Sequence, residues 1–122
     1  MSAHQMVCHL SDGFRTAIGE KPVNPASTLL SRTVVKWIAL HSPLPWPHNI
    51  QTRPEVDQEI GGTKPHDFAK DVRELELLIE RVAQPQRDFE WRPHPIFGRL
   101  SDRERLRWAY LHVDHHLRQC GV

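Results

Sequence analysis

The run His112-Val113-Asp114-His115-His116-Leu117-Arg118-Gln119 holds the residues whose type and spacing say most about chemistry. On a helix, residues i and i+4 share a face. His112 and His116 then point the same way, as two imidazoles binding one divalent metal ion would, while His115 falls on a different face. Two ligands hold a metal weakly, so a third has to come from elsewhere in the chain. His9 is the leading candidate. It borders the apolar face of an early helix beside Met6 and Gly13, where an imidazole reaches a bundle interior without entering its driest layer and glycine leaves space around it. Three neutral imidazoles leave coordination positions open to water or substrate, which is catalytic rather than structural coordination. Imidazole donors point first to Zn²⁺, with Ni²⁺ or Fe²⁺ as alternatives. A metalloprotease helix would need Glu directly after the first His as general base, and Val113 stands there. No residue stands out as a general base. The same spacing also fits histidines that bind nothing.

These side chains need elements to position them, and the hydrophobic pattern supplies four helices. Ser2-Ala3-His4-Gln5 has the capping-box form, so a helix over 3–19 is expected, with Ala3, Met6, Val7, Leu10, Phe14, Ala17 and Ile18 on its apolar face and Gly19 and Pro22 ending it. A second helix, 28–41, carries Leu29, Leu30, Val34, Val35, Trp37, Ile38 and Leu40; its β-branched pair at 34–35 weakens the helical preference. Three prolines between 43 and 47 exclude regular structure there, and a long connection follows, pinned by Trp46 and Ile50. A third helix, 65–84, shows an amphipathic stripe of Phe68, Val72, Leu75, Leu78, Ile79 and Val82 opposite a charged face read as solvated. Ser101-Asp102-Arg103-Glu104 is another capping box opening a helix over 102–120, with Leu106, Tyr110, Val113 and Leu117 as its stripe and Ala109, His112 and His116 flanking it. Four amphipathic helices without a strand pattern imply an all-α bundle.

Composition bounds the rest. At 122 residues the chain suits one domain, 1–122. A net charge of +1 without a basic cluster gives nucleic-acid binding no electrostatic support. No apolar stretch approaches the roughly 20 residues of a membrane span. The two cysteines, Cys8 and Cys120, make no disulfide framework, so a reducing cytoplasm is the expected compartment. Nine histidines in so short a chain are the compositional anomaly.

Three stretches together resemble the DinB-like superfamily of metal-binding four-helix bundles: Ser2 to Leu10, His94-Pro95-Ile96-Phe97-Gly98, and His112 to Gly121. More narrowly, the chain is similar to an uncharacterised branch that also carries a Leu-Pro-Trp-Pro stretch like Leu44 to Pro47. The resemblance implies a metal held by one His of an early helix and two of the last, here His9, His112 and His116. It implies small-molecule substrates and two chemistries, transfer or isomerisation with a small-molecule thiol and hydrolysis. Relatives have roughly one more helix before the point where this chain begins. A shortened chain, a homodimer formed over the gap, or helix 28–41 as a substitute would each answer that difference, and the alternative to an enzyme is a non-catalytic metal-binding or dimeric bundle. Cys120 stands where an aromatic residue is expected and reads as a small buried hydrophobe, with a fourth ligand as the other option. Asp12 and Asp114 are candidate acceptors for the ligand imidazoles.

Overall fold

The structure, a computed structural model, describes residues 1–47 and 52–122. Ile50 and His48, expected in the long connection, lie outside the described residues. The architecture is all-helical, with helices α1 (Ala3–Ile18), α2 (a π-helical stretch Ser31–Val35 running into α-helix Lys36–His41), α3 (Phe68–Ala83) and α4 (Asp102–Gln119), and a 3₁₀ turn at Pro54–Val56. Among the described residues there is no strand; His94 and Gly98 form one isolated antiparallel bridge. No described helix is long and apolar enough to cross a membrane.

Both capping boxes form. The Ser2 side chain accepts from Gln5 N–H and the Ser101 side chain from Glu104 N–H, each reciprocated by the N3 side chain. Gly19 closes α1 in the left-handed region at φ 88°, a conformation that glycine alone adopts without a steric penalty. Helix α3 starts three residues later than expected. Asp67 caps it, its side chain accepting from Lys70 N–H, and this cap outranks Pro65 as a start signal.

Helix α1 is the core's centre, buried without interruption from Met6 to Phe14 and again at Ala17 and Ile18. It packs against α3 and α4, and α2 packs on α4. Phe14, Ala17, Ile18, Leu40, Leu78, Val82, Trp108 and Ala109 form the main apolar cluster. Three expected stripes shift. In α4 the buried residues are Arg105, Trp108 and Ala109, whereas Tyr110 is 65 % exposed. The row 105, 108, 109, 112, 116 has helical spacing and turns inward, so the histidine flank is the interior face. In α3 only Leu78 and Val82 are buried, and Phe68 is largely exposed. In α2 only Leu40 is buried; Leu29, Leu30, Val34, Trp37 and Ile38 face outward. The π stretch in α2 coincides with Thr33-Val34-Val35. Thr33 Oγ1 donates to the Leu29 carbonyl at 2.7 Å, competing with the backbone ladder where β-branched residues already weaken it.

Candidate metal centre

Helix α1 presents His9 and helix α4 presents His112 and His116 to one point. One ligand atom from each lies within 4.8 Å of the others. The Nε2 atoms of His9 and His112 are 3.3 Å apart. Two nitrogens on a tetrahedral zinc with Zn–N bonds of about 2.0–2.1 Å would be about 3.3–3.4 Å apart. His9 is 5 % exposed, deeper than the helix-edge position expected for it. The two α4 histidines are half-buried.

Hydrogen bonds set which nitrogen faces inward. His9 Nδ1–H donates to the Val56 carbonyl at 2.9 Å, and His116 Nδ1–H donates to Gln119 Oε1 at 2.9 Å. Both Nε2 atoms are thereby left as lone-pair donors, the usual arrangement for a metal-binding imidazole. His112 differs. Its Nδ1 is buried with no partner, facing Gly13, where an added Cβ would come within 3.0 Å of His112 Cε1. Glycine at 13 thus makes room for His112, not for His9. The His112 ring lies near-parallel to Trp108 with centroids 5.0 Å apart, and Trp46 stands 6.4 Å away on another side. Trp46 is pinned by its indole N–H, which donates to the Ala39 carbonyl at 2.8 Å. The proline-rich stretch therefore sets an aromatic wall beside the triad.

Burial biases all three imidazoles toward the neutral form. Burial pushes the His112 pKa well below its usual value, and His9, His116, His94 and His115 push it further. Burial and then His9 bring His116 down to about 4 against the support of Gln119. His9 is lowered by burial, only partly offset by the Val56 bond and by Asp12 and Asp57. Neutral imidazoles are the form that binds metals. The facing Nε2 atoms of His9 and His112 and the all-nitrogen donor set are together of the kind that could hold a divalent ion.

The remaining candidates separate from this centre. Asp12 is fully buried but does not touch a ligand histidine. It accepts from Thr63 N–H and Thr63 Oγ1–H, both at 2.7 Å, and from Gln58 and Arg15. Asp114 pairs with Arg118 at 2.8 Å. The acceptors anticipated in those two carboxylates are instead Val56 and Gln119. Gln119 was readable as an i+3 neighbour of His116; a loop carbonyl carries no side-chain signal. Cys120 is exposed, because α4 ends at Gln119 and the Cys120 N–H caps it, so neither a buried hydrophobe nor a fourth ligand stands there. His94 packs: it stacks on Phe97 at 4.4 Å, and its Nδ1 accepts the backbone N–H groups of Ile96 and Phe97. His41 faces Glu104 at 3.4 Å, and His66 is exposed. His4 meets Asp71 on α3, part of the charged face expected to be solvated.

A cleft of about 220 Å³ is lined by Met1, Gln5, Thr52, Asp57, Gln58 and Glu59, and none of the three histidines is part of its lining. Gln5 lies one turn before His9, and Asp57 follows the carbonyl that orients it. A small all-helical bundle with an inward histidine triad is thus the class of protein defined by fold and site. Residues 2–121 match a family of proteins of unknown function, DUF1569, and the chain belongs to that family. No curated protein and no solved structure matches it.

Proposed function

We propose that this chain is a divalent-metal-dependent enzyme acting on a small molecule, by thiol transfer or hydrolysis, with its metal held by His9, His112 and His116. The observation that carries this reading is the convergence of three imidazoles from two helices, with His9 Nε2 and His112 Nε2 3.3 Å apart inside the bundle. That spacing suits an N–H···N hydrogen bond from His112 to His9 in the metal-free protein, and it equals the separation of two nitrogens on one tetrahedral zinc. With its proton on Nδ1, His112 would offer Nε2 to a divalent ion beside His9, and His116 would be the third donor. The resemblance to the DinB-like superfamily supports the same ligands and supplies the two chemistries. Zn²⁺ is the first choice for three imidazoles, ahead of Ni²⁺ and Fe²⁺.

A metal held there supplies Lewis acidity toward a water or a small thiol, making a nucleophile available near neutral pH. The chain's own residues do the rest. Val56 and Gln119 fix the tautomers of His9 and His116. Trp108 and Trp46 keep His112 in place and limit water on that side. A small substrate would approach from the cleft at Gln5 and Asp57, one helical turn from His9.

Elemental analysis of untagged protein tests the reading, with wild type beside His9→Ala and His112→Ala. The loss of one equivalent of metal in each variant, relative to wild type, is the expected result. Azide or an added thiol should then perturb the Co²⁺ spectrum of the wild type, since a catalytic centre keeps an open position. Wild type that takes up no histidine-dependent metal after incubation with Zn²⁺ or Ni²⁺ overturns it.

A second reading, a non-catalytic dimeric metal-binding bundle, is favoured by α2, where Leu29 is 73 % exposed and Leu30 and Trp37 are 61 % exposed. Apolar faces of this kind mark association surfaces. A monomer in sedimentation, or a dimer undisturbed by Trp37→Glu, removes that support.

A further inference from the structure

A second group of ligand-type side chains sits on another face of α1. His4 and Cys8 are one helical turn apart and Asp71 reaches them from α3; one ligand atom of each lies within 4.8 Å of the other two. They already converge on a single oxygen. Asp71 Oδ2 accepts from His4 Nε2–H at 2.6 Å, from the Cys8 thiol at 3.8 Å and from the His66 backbone N–H at 3.1 Å.

Asp71 differs from its neighbours on α3. Glu74 pairs with Arg15, and Glu76 and Glu80 pair with Arg73. Asp71 has no lysine or arginine partner among the described residues; its company is an imidazole and a thiol. Cys8 is 2 % exposed, and its Sγ is directed at the carboxylate. The cluster therefore brings a nitrogen, a sulfur and an oxygen donor together from two helices that pack against each other.

We propose that His4, Cys8 and Asp71 form a second metal site, suited to a thiophilic divalent ion such as Zn²⁺ and separate from the histidine triad. The donor set decides the class of ion. Thiolate and imidazole favour zinc over magnesium or calcium, and a carboxylate oxygen completes a mixed zinc shell. Charge fits as well: one thiolate and one carboxylate neutralise a divalent ion, as a mostly buried site requires. On binding, the Cys8 S–H bond breaks and its proton passes to solvent, the His4 Nε2 proton moves to Nδ1, and bonds from Sγ, Nε2 and the carboxylate to the ion form. The His4–Asp71 contact opens by under about 1 Å to reach the ligand separation of a tetrahedral zinc. The His66 N–H stays on the carboxylate and orients it. The fourth position faces solvent, where His4 and Asp71 are 25 % and 21 % exposed. Occupied, the site ties the first turns of α1 to the first turn of α3.

The test uses full-length protein carrying Cys120→Ser, so that Cys8 is its one thiol. Zinc content and the spectrum of the Co²⁺ form are measured alongside Cys8→Ser, Asp71→Asn and His112→Ala. Two equivalents of zinc are expected, with a thiolate-to-cobalt charge-transfer band that is lost in Cys8→Ser, weakened severalfold in Asp71→Asn and kept in His112→Ala. A protein that never shows this band, or whose band is unchanged in Cys8→Ser, overturns the proposal. Asp71→Asn leaves the buried Cys8 in place, so the result does not depend on Cys8→Ser folding normally. Because the triad holds no sulfur, loss of the triad's metal and loss of this band are separate outcomes.

Discussion

His9 Nε2 and His112 Nε2 face each other across 3.3 Å although 103 positions separate them in the chain. His9 is oriented from outside its helix by Val56, while His112 is held from within its own helix by Trp108, one turn earlier. The centre therefore depends on helix packing and on one loop at once, and its weak points are the neighbours that aim the ligands.

Gln119 is the neighbour most open to a clean test. Its Oε1 accepts from His116 Nδ1–H at 2.9 Å, and it lies on the exposed end of α4, so removing it disturbs no core packing. Gln119→Ala should lower metal affinity by about 10- to 100-fold, the usual effect of losing such a partner. The thermal midpoint of the metal-free protein should hardly move. Competition titration against a chelator dye measures the first and a melting curve the second.

Gly13 should behave differently. Alanine is the better helix former by about 1 kcal/mol, so Gly13→Ala would ordinarily stabilise α1. Here the new Cβ comes within 3.0 Å of His112 Cε1 and 3.4 Å of Nδ1. The ring cannot retreat freely, because Trp108 lies against it. Metal affinity should fall about tenfold or more through a displaced ligand, with global stability unchanged or slightly raised. A variant that binds metal as tightly as wild type would show that His112 has slack.

The parts legible in the sequence were those written in local spacing. Ser2–Gln5 and Ser101–Glu104 marked two helix starts, and His112–His116 marked the shared face, because each is an interaction within one turn. The parts that were not legible depend on contacts made far along the chain. The inward face of α4 could not be told from its neighbour until Arg105 proved buried, since its charge argues against that face. The Val56 carbonyl, the hub role of Asp12 and the Asp71 cluster bring together segments that share no local pattern. Helix α2 was the least readable element, because its exposed apolar residues look in sequence like a core stripe. The family match shows membership of DUF1569, and the kinship to DinB-like proteins rests on the motifs alone.

Asp12 joins α1 to the loop that carries Val56. The carboxylate is fully buried, with two donors from Thr63 at 2.7 Å, Gln58 Nε2 at 3.3 Å and Arg15 at 3.1 Å. Asp12→Ala strands the Thr63 N–H and the Gln58 amide in the interior and removes one partner each from Arg15 and Lys21, which keep Glu74 and the Gly61 carbonyl. Leaving a buried donor unpaired in this way costs about 1–3 kcal/mol. Urea denaturation should show a loss of that order. Amide exchange should rise across the loop residues 56–63, and metal affinity should fall with it, because the His9 acceptor is on that loop. Loss of stability with unchanged affinity would mean that Val56 holds its place without Asp12.

Acid should unfold the metal-free protein through His94 as well as through the triad. Burial first, and then the charge of Arg105, bring the His94 pKa from its ordinary 6.5 down to about 3. Its Nδ1 also accepts the N–H groups of Ile96 and Phe97, both at 3.1 Å, so protonation there would break the turn. A depressed folded pKa means that the unfolded chain takes up the proton first. The His94 contribution is therefore fully present above pH 6.5 and is lost progressively as pH falls toward about 3. His94→Asn separates this group from the triad, because an asparagine oxygen can accept the same two backbone donors and does not titrate. The variant loses the ring stacking on Phe97 and should be less stable at pH 7 by about 1 kcal/mol. Its stability should then fall less steeply than that of wild type between pH 6.5 and about 3. Chelator-treated samples unfolded in urea at a series of pH values measure the two slopes. Parallel curves would mean that His94 takes up its proton in the folded chain, and that its turn survives the charge.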